Sequence, residues 1–157
     1  MAEKVILDSF FENELLDGSL LNIGLAVSVF NYEITNEMYN HAYDSLLEHK
    51  VDKNKIKRVN VPGAFELPLI CKKMAESEKY DSIIAIGAVI KGETDHYDFV
   101  ANNASSGIAN SSLTTGTPII FGILTTNNYK QAKDRITDAK YYATSSIIVP
   151  NLSLIHI

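Results

Sequence analysis

Four short blocks of the 157-residue chain carry residue types that could do chemistry. Phe30-Asn31 closes an apolar run. If exposed, the ring is a plate for a planar heterocycle; if not, it is a core aromatic. Asn31 beside it offers both a donor and an acceptor. In VPGAFELP, residues 61–68, Pro62-Gly63 forces a turn and the glycine permits close backbone approach. Glu66 in this block is either a carboxylate for ligand hydroxyls or a first-turn acid favoured by a helix dipole. In KGETDHYD, residues 91–98, Gly92 supplies a turn and Thr94 a hydroxyl. Asp98 opens a helix whose free N–H groups would suit an anion. His96 is the only histidine at an expected strand end, and its ring can move protons near neutral pH. Glu93, Asp95, His96 and Asp98 can also be read as a metal cluster, although no second histidine follows at ligand spacing. The fourth block runs from Phe121 through TTNN, 125–128, to Asp134-Arg135.

These blocks need a frame that brings them to one edge. Three apolar runs of strand length, IGLAVSVF (23–30), SIIAIGAVI (82–90) and PIIFGILT (118–125), have the continuous apolar character of strands buried on both faces. KRVNVPG (57–63) supplies a shorter strand. Helical patterns fill the intervals at 35–49, 64–78, 98–115 and 128–148. In the first, Met38, Ala42 and Leu46 recur every fourth residue. Pro68 is tolerable only in a first helical turn. The Ala, Ser and Asn content of the third helix suits close helix packing, and Gly116 with Pro118 stops it. The alternation is that of a doubly wound α/β sheet, in which ligands sit beyond the carboxyl ends of the strands. That directs attention to 30–35, 62–66, 90–98 and 125–135.

Composition removes several classes. With 14 Lys plus Arg against 19 Asp plus Glu the net charge is −5, so no basic stripe is available for nucleic acid. Twelve of those cations are Lys; Arg58, within KNKIKR, reads as ordinary charged surface, while Arg135 lies on a helix leaving the searched edge. Only Arg offers a planar fork for phosphate, although an Asp-Arg pair on a helix is commonly a solvated surface feature. The single Cys71, with apolar neighbours in mid-helix, excludes a disulfide framework and reads as a buried thiol. His41, His49 and His156 read as surface or packing residues. The G-x-S-x-G, G-x-x-x-x-G-K-S/T and G-x-G-x-x-G patterns are absent. No signal peptide or bilayer-length apolar stretch is present, which gives the expectation of a soluble cytoplasmic protein.

Together FNYEIT (30–35), VPGAFELP (61–68), GAVIKGETDHYDFV (87–100) and PIIFGILTTNN (118–128) resemble the lumazine synthase family in order and spacing. The resemblance implies a flavodoxin-like three-layer αβα sandwich with a four-stranded parallel sheet. It implies a condensation, with no cofactor and no metal, of 5-amino-6-ribitylaminouracil with 3,4-dihydroxy-2-butanone 4-phosphate. On the same resemblance Phe30 stacks on the pyrimidine, with Asn31 beside it, Ala64 and Phe65 line that site, and Glu66 binds ribityl hydroxyls. Ala88, Val89 and Ile90 meet the uracil through backbone groups. Glu93, Thr94 and Arg135 hold the phosphate, His96 transfers protons, and Phe121 closes over the heterocycle. Family sites lie between subunits of a pentamer or a sixty-subunit shell.

The chain reads as one domain, 1–157, with an N-terminal arm over 1–20. After Arg135 it departs from the family pattern: Ala139 falls where a family lysine is expected, with Lys140 beside it. Pro150 is expected to end the last helix early, leaving 150–157 as a tail of doubtful origin. Two other functions fit the same residues: a riboflavin-synthase-type relative acting on lumazine, and a non-catalytic flavin- or lumazine-binding shell protein.

Overall fold

Ser82–Ile90 is buried along all but its last residue, and this strand, β3, stands inside the sheet. Its neighbours are β1 (Ile23–Ser28), buried throughout, and β4 (Ile119–Thr126); β2 (Ile56–Val61) flanks β1. The order is β2-β1-β3-β4 and every pairing is parallel. A computed structural model describes residues 5–155, with side chains to Leu152; His156 lies outside them.

Alternate residues of the central strands feed two separate cores, as the pleat requires. Ile23, Leu25, Val27, Ile84 and Ile86 meet α1 (Tyr32–Glu48) and α5 (Ala139–Ile155). Ala26, Ile83, Ala85 and Val89 meet α2 (Leu67–Glu76) and α3 (His96–Thr115). A short helix, α4 (Tyr129–Asp134), leads from β4 towards α5 on the α1 side. The result is the expected three-layer flavodoxin-like sandwich. Met38, Ala42 and Leu46 are fully buried on α1. Pro68 does sit in the first turn of α2, and Gly116 ends α3 with φ 73°. The small residues of α3 let it close on α2: a Cβ on Gly107 would come within 2.6 Å of the Pro68 ring. Cys71 is buried, and burial pushes its thiol pKa up to about 12, as fits a structural thiol. Among the described residues no helix is long and apolar enough to cross a membrane.

Several boundaries differ from the sequence reading. Strand β1 stops at Ser28, and α1 begins at Tyr32 because Asn31, in the left-handed region (φ 59°), turns the chain directly into the helix. Helix α3 begins at His96, two residues earlier than expected. The single helix expected over 128–148 is broken. At Arg135 and Asp138 the N–H groups bond three residues back, to Ala132 and Arg135, and a 3-10 turn at Ile136–Asp138 separates α4 from α5. The weak helix formers Asp134, Ile136, Thr137 and Asp138 cluster at this break. Pro150 does not end the last helix: α5 runs through it to Ile155. The buried Asn151 donates to the carbonyls of Leu15 and Asp17, which ties that turn to the N-terminal arm.

Arg58 is the clearest correction, for it is not an ordinary surface cation. Half-buried on β2, it donates from Nε to Asn60 and from Nη1 to Asn36, with its guanidinium 4.4 Å from the Tyr39 ring centroid. Its Nη2 is buried without a partner. Lysine has neither the flat face nor the fork. Arg58→Ala and Arg58→Lys are each expected to cost about 1–2 kcal/mol, read as a lower urea midpoint at unchanged m-value.

Candidate active site

In a 2-1-3-4 sheet the chain leaves β1 for one side and later crosses to the other, so a crevice opens between the carboxyl ends of β1 and β3. The register shows how deep it runs. Pairing of β1 with β3 ends at Val27 opposite Ile86, whereas β3 and β4 stay paired to Ile90 opposite Thr126. Gly87 to Ile90 therefore have no strand beside them on the β1 side. Ile83 and Lys91 direct their N–H groups to the carbonyls of Pro118 and Thr126 at the β4 edge. By alternation the backbones of Ala88 and Ile90 face the crevice.

Asn31 spans this gap: its side-chain amide donates to the Ala88 carbonyl at 2.8 Å. The residue read as a ligand contact thus spends its donor on the protein, and its oxygen remains as an acceptor. Phe30, just before it, is 71% exposed, so the core reading of this ring fails. The open position follows from its backbone: its N–H bonds to the Pro62 carbonyl, and Val29 bonds likewise to Val61, which holds the segment along the β2 exit.

The second block lies next to it. Pro62-Gly63 leads into a 3-10 turn at Ala64–Glu66 that runs on into α2. Ala64 is buried in the α2–α3 core, while Phe65 stands out into solvent. Glu66 makes no helix-capping bond with its side chain. Its carboxylate lies back over Gly63, where a Cβ would sit 3.0 Å from Oε2. The turn is pinned from α3, where Asn103 donates to the Phe65 carbonyl at 3.2 Å and Ser111 to that of Pro68 at 3.0 Å. Asn103 escaped the sequence reading because an Asn among Ala and Ser on a helix gives no signal of its target.

Beyond β3, residues 91–96 are all exposed. His96 occupies the first turn of α3 and its backbone N–H reaches the Thr94 hydroxyl at 3.3 Å. The helix start expected at Asp98 thus lies at His96, directly after the turn at Glu93–Asp95. Glu93, Asp95, His96 and Asp98 do not assemble as metal ligands: among the described residues no group of three His, Cys, Asp or Glu side chains is placed to hold a metal.

Two expected residues stand apart. Phe121 pairs with Ala85, five residues below the last β3–β4 pair, or roughly 16 Å along the strand. Arg135 ends α4 on the α1 side and donates to the Gln131 carbonyl at 3.0 Å, whereas the 91–96 turn feeds α3 on the opposite side. A groove of about 370 Å³ between α1 and α4, lined by Tyr32, Glu33, Asn36, Glu37, Tyr129 and Lys133 among others, contains no expected site residue.

The edge therefore combines an exposed ring, a stretch of β3 backbone with no strand on its β1 side, a carboxylate over a glycine and a histidine at a helix start. The sequence model of the 6,7-dimethyl-8-ribityllumazine synthase family matches residues 20–149. The chain belongs to that family. The matched span contains every candidate site residue from Phe30 to Arg135, including the two that stand apart within one chain. Membership in the lumazine synthase family carries with it enzymes of riboflavin biosynthesis.

Proposed function

We propose that this protein condenses 5-amino-6-ribitylaminouracil with 3,4-dihydroxy-2-butanone 4-phosphate, yielding 6,7-dimethyl-8-ribityllumazine, phosphate and water. The observation that carries this reading is the end of β3, left without β1 along one edge, beside an exposed Phe30. The backbone of Ile90 offers an N–H and a C=O in the alternation that a pyrimidinedione presents along its own edge. A flat lactam there continues the ladder where β1 leaves it, with Phe30 against its face and Ala64, Phe65 and Val89 around it. Glu66 accepts from ribityl hydroxyls. The 93–94 turn and the Arg135 fork bind the phosphate.

The ring amine attacks the ketone, water leaves to give an imine, phosphate is eliminated, and the second amine closes the ring. Holding the reactants in register supplies much of the acceleration, and His96 moves the protons between these steps. Within one chain Phe30 and residues 91–96 stand exposed at this edge, and Phe121 and Arg135 stand away from it. We assign these two to a neighbouring subunit, which would also cover Phe30, Phe65 and Phe99, each more than half exposed. Sedimentation distinguishes a pentamer from a sixty-subunit shell. The activity itself is tested by mixing both substrates and following lumazine fluorescence. Binding without turnover sinks the enzymatic reading, and riboflavin formed from lumazine alone replaces it with the riboflavin-synthase type.

A further inference from the structure

Strands β1 and β3 part beyond Val27 and Ile86. Continued in the same register, Val29 would lie beside Ala88. Val29 and Phe30 instead turn their N–H groups the other way, to the carbonyls of Val61 and Pro62 at 2.7 and 3.1 Å. The Ser28 carbonyl accepts from the buried Thr35 hydroxyl at 2.7 Å, and the Asn31 carbonyl accepts from the N–H groups of Ile34 and Thr35. These bonds fix the exit of β1 to β2 and to α1, and none of them reaches β3. The Asn31 side chain makes that crossing, with its amide 2.8 Å from the Ala88 carbonyl. It thus supplies the donor that the departing backbone no longer offers. Ala88 is buried, where a carbonyl without a donor is costly. The backbone of Asn31 is left-handed at φ 59°, a conformation that asparagine tolerates better than most residues.

We propose that Asn31 is a positioning residue: by tying the chain next to Phe30 to the Ala88 carbonyl, it fixes where the exposed ring stands relative to the backbone of Ile90. This rests on the reading of that edge as the ribitylaminouracil site. A planar ligand that pairs with Ile90 and lies against Phe30 needs the two at a set spacing. Ile90 is two residues along the same edge from Ala88, roughly 6.6 Å, and Phe30 is the neighbour of Asn31. The bond therefore stands at the base of both contacts. It also occupies the Ala88 carbonyl, so that of the two residues facing the crevice Ile90 keeps its carbonyl for the ligand. Order present before binding is not drawn from the binding energy. Asn31 acts through Phe30 and β3, away from the reacting atoms.

Two variants separate the side chain from the backbone. Asn31→Gly keeps the left-handed conformation without strain and removes the donor. Asn31→Asp keeps the size and the local preference but sets a carboxylate, which has no N–H, against the Ala88 carbonyl. In both, KM for the ribitylaminouracil should rise about 5- to 20-fold, the scale of one hydrogen bond to a buried acceptor. KM for the butanone phosphate, and kcat at saturation, should stay near wild type.

Hydrogen exchange on the intact protein without substrate reads the same bond independently of turnover. After correction for intrinsic exchange, the N–H groups of Val29 and Phe30 should lose about 5- to 20-fold in protection in both variants, while the interior of β3 is unchanged. Wild-type protection of Val29 and Phe30 in the variants overturns the proposal. So does a KM that rises equally for both substrates, or a fall in kcat with KM unchanged. A loss in Asn31→Gly that Asn31→Asp does not share assigns the effect to backbone freedom and overturns it as well. If the wild type forms no lumazine, the functional reading fails, and the exchange result still decides whether Asn31 holds Phe30 to β3.

Discussion

Replacing His96 with alanine should lower kcat by about 10²–10⁴-fold and leave a slow enzyme that is still measurable. The residue stands exposed at the start of α3, with no buried partner, so the variant should keep the wild-type melting temperature. The proposed site gives positioning of the two substrates to other residues, so KM for both should change little. Single-turnover mixing of the two substrates with wild type and variant reads the chemical step apart from product release. Equal turnover in the two proteins would remove His96 from the proton-transfer role and leave approximation of the substrates as the source of catalysis.

The second large effect is expected at Arg135. Loss of a charge-assisted fork to phosphate is worth about 1.5–3 kcal/mol, so Arg135→Ala should raise KM for the butanone phosphate by roughly 10–100-fold. KM for the ribitylaminouracil should remain near wild type. The placement of this residue adds a sharper test. Arg135 follows β4 on the α1 side, and His96 follows β3 on the α3 side. If they meet across a subunit boundary, unfolding and reassembling His96→Ala with Arg135→Ala should recreate intact sites, about one in four by random mixing. Activity well above that of either variant alone is the expected result. A mixture no more active than the sum of its parts would place both residues in one subunit's site.

How much of this was legible beforehand depends on the range of the interaction. The alternation of apolar runs with helical spacing fixes an α/β sheet because burial on both faces leaves its mark on each strand separately. Pro68, Gly116 and Cys71 behave as read because turn chemistry and local polarity govern them. The blocks around Phe30, Glu66 and His96 lie at the strand ends because each directly follows an apolar run that forms a strand. Helix boundaries near Asn31 and Arg135 were less legible: a left-handed Asn and a shift to i−3 bonding are choices among nearly equal local conformations.

What the sequence could not contain is the pairing of distant residues. It offered Asn31 as a donor and an acceptor; the ending of β1 opposite Ile86 decides that the donor goes to Ala88. It placed Arg58 in a Lys-rich segment; the packing of β2 under α1 decides that this guanidinium lies on Tyr39 between Asn36 and Asn60. It read Pro150 as a stop, yet tertiary contacts carry α5 past it. Phe121 and Arg135 were grouped with the other site residues because they share the family's pattern. The strand register and the two sides of the sheet separate them within one chain. Residue type and local order determine which groups are available for chemistry, and only three-dimensional register determines which of them one chain can bring together.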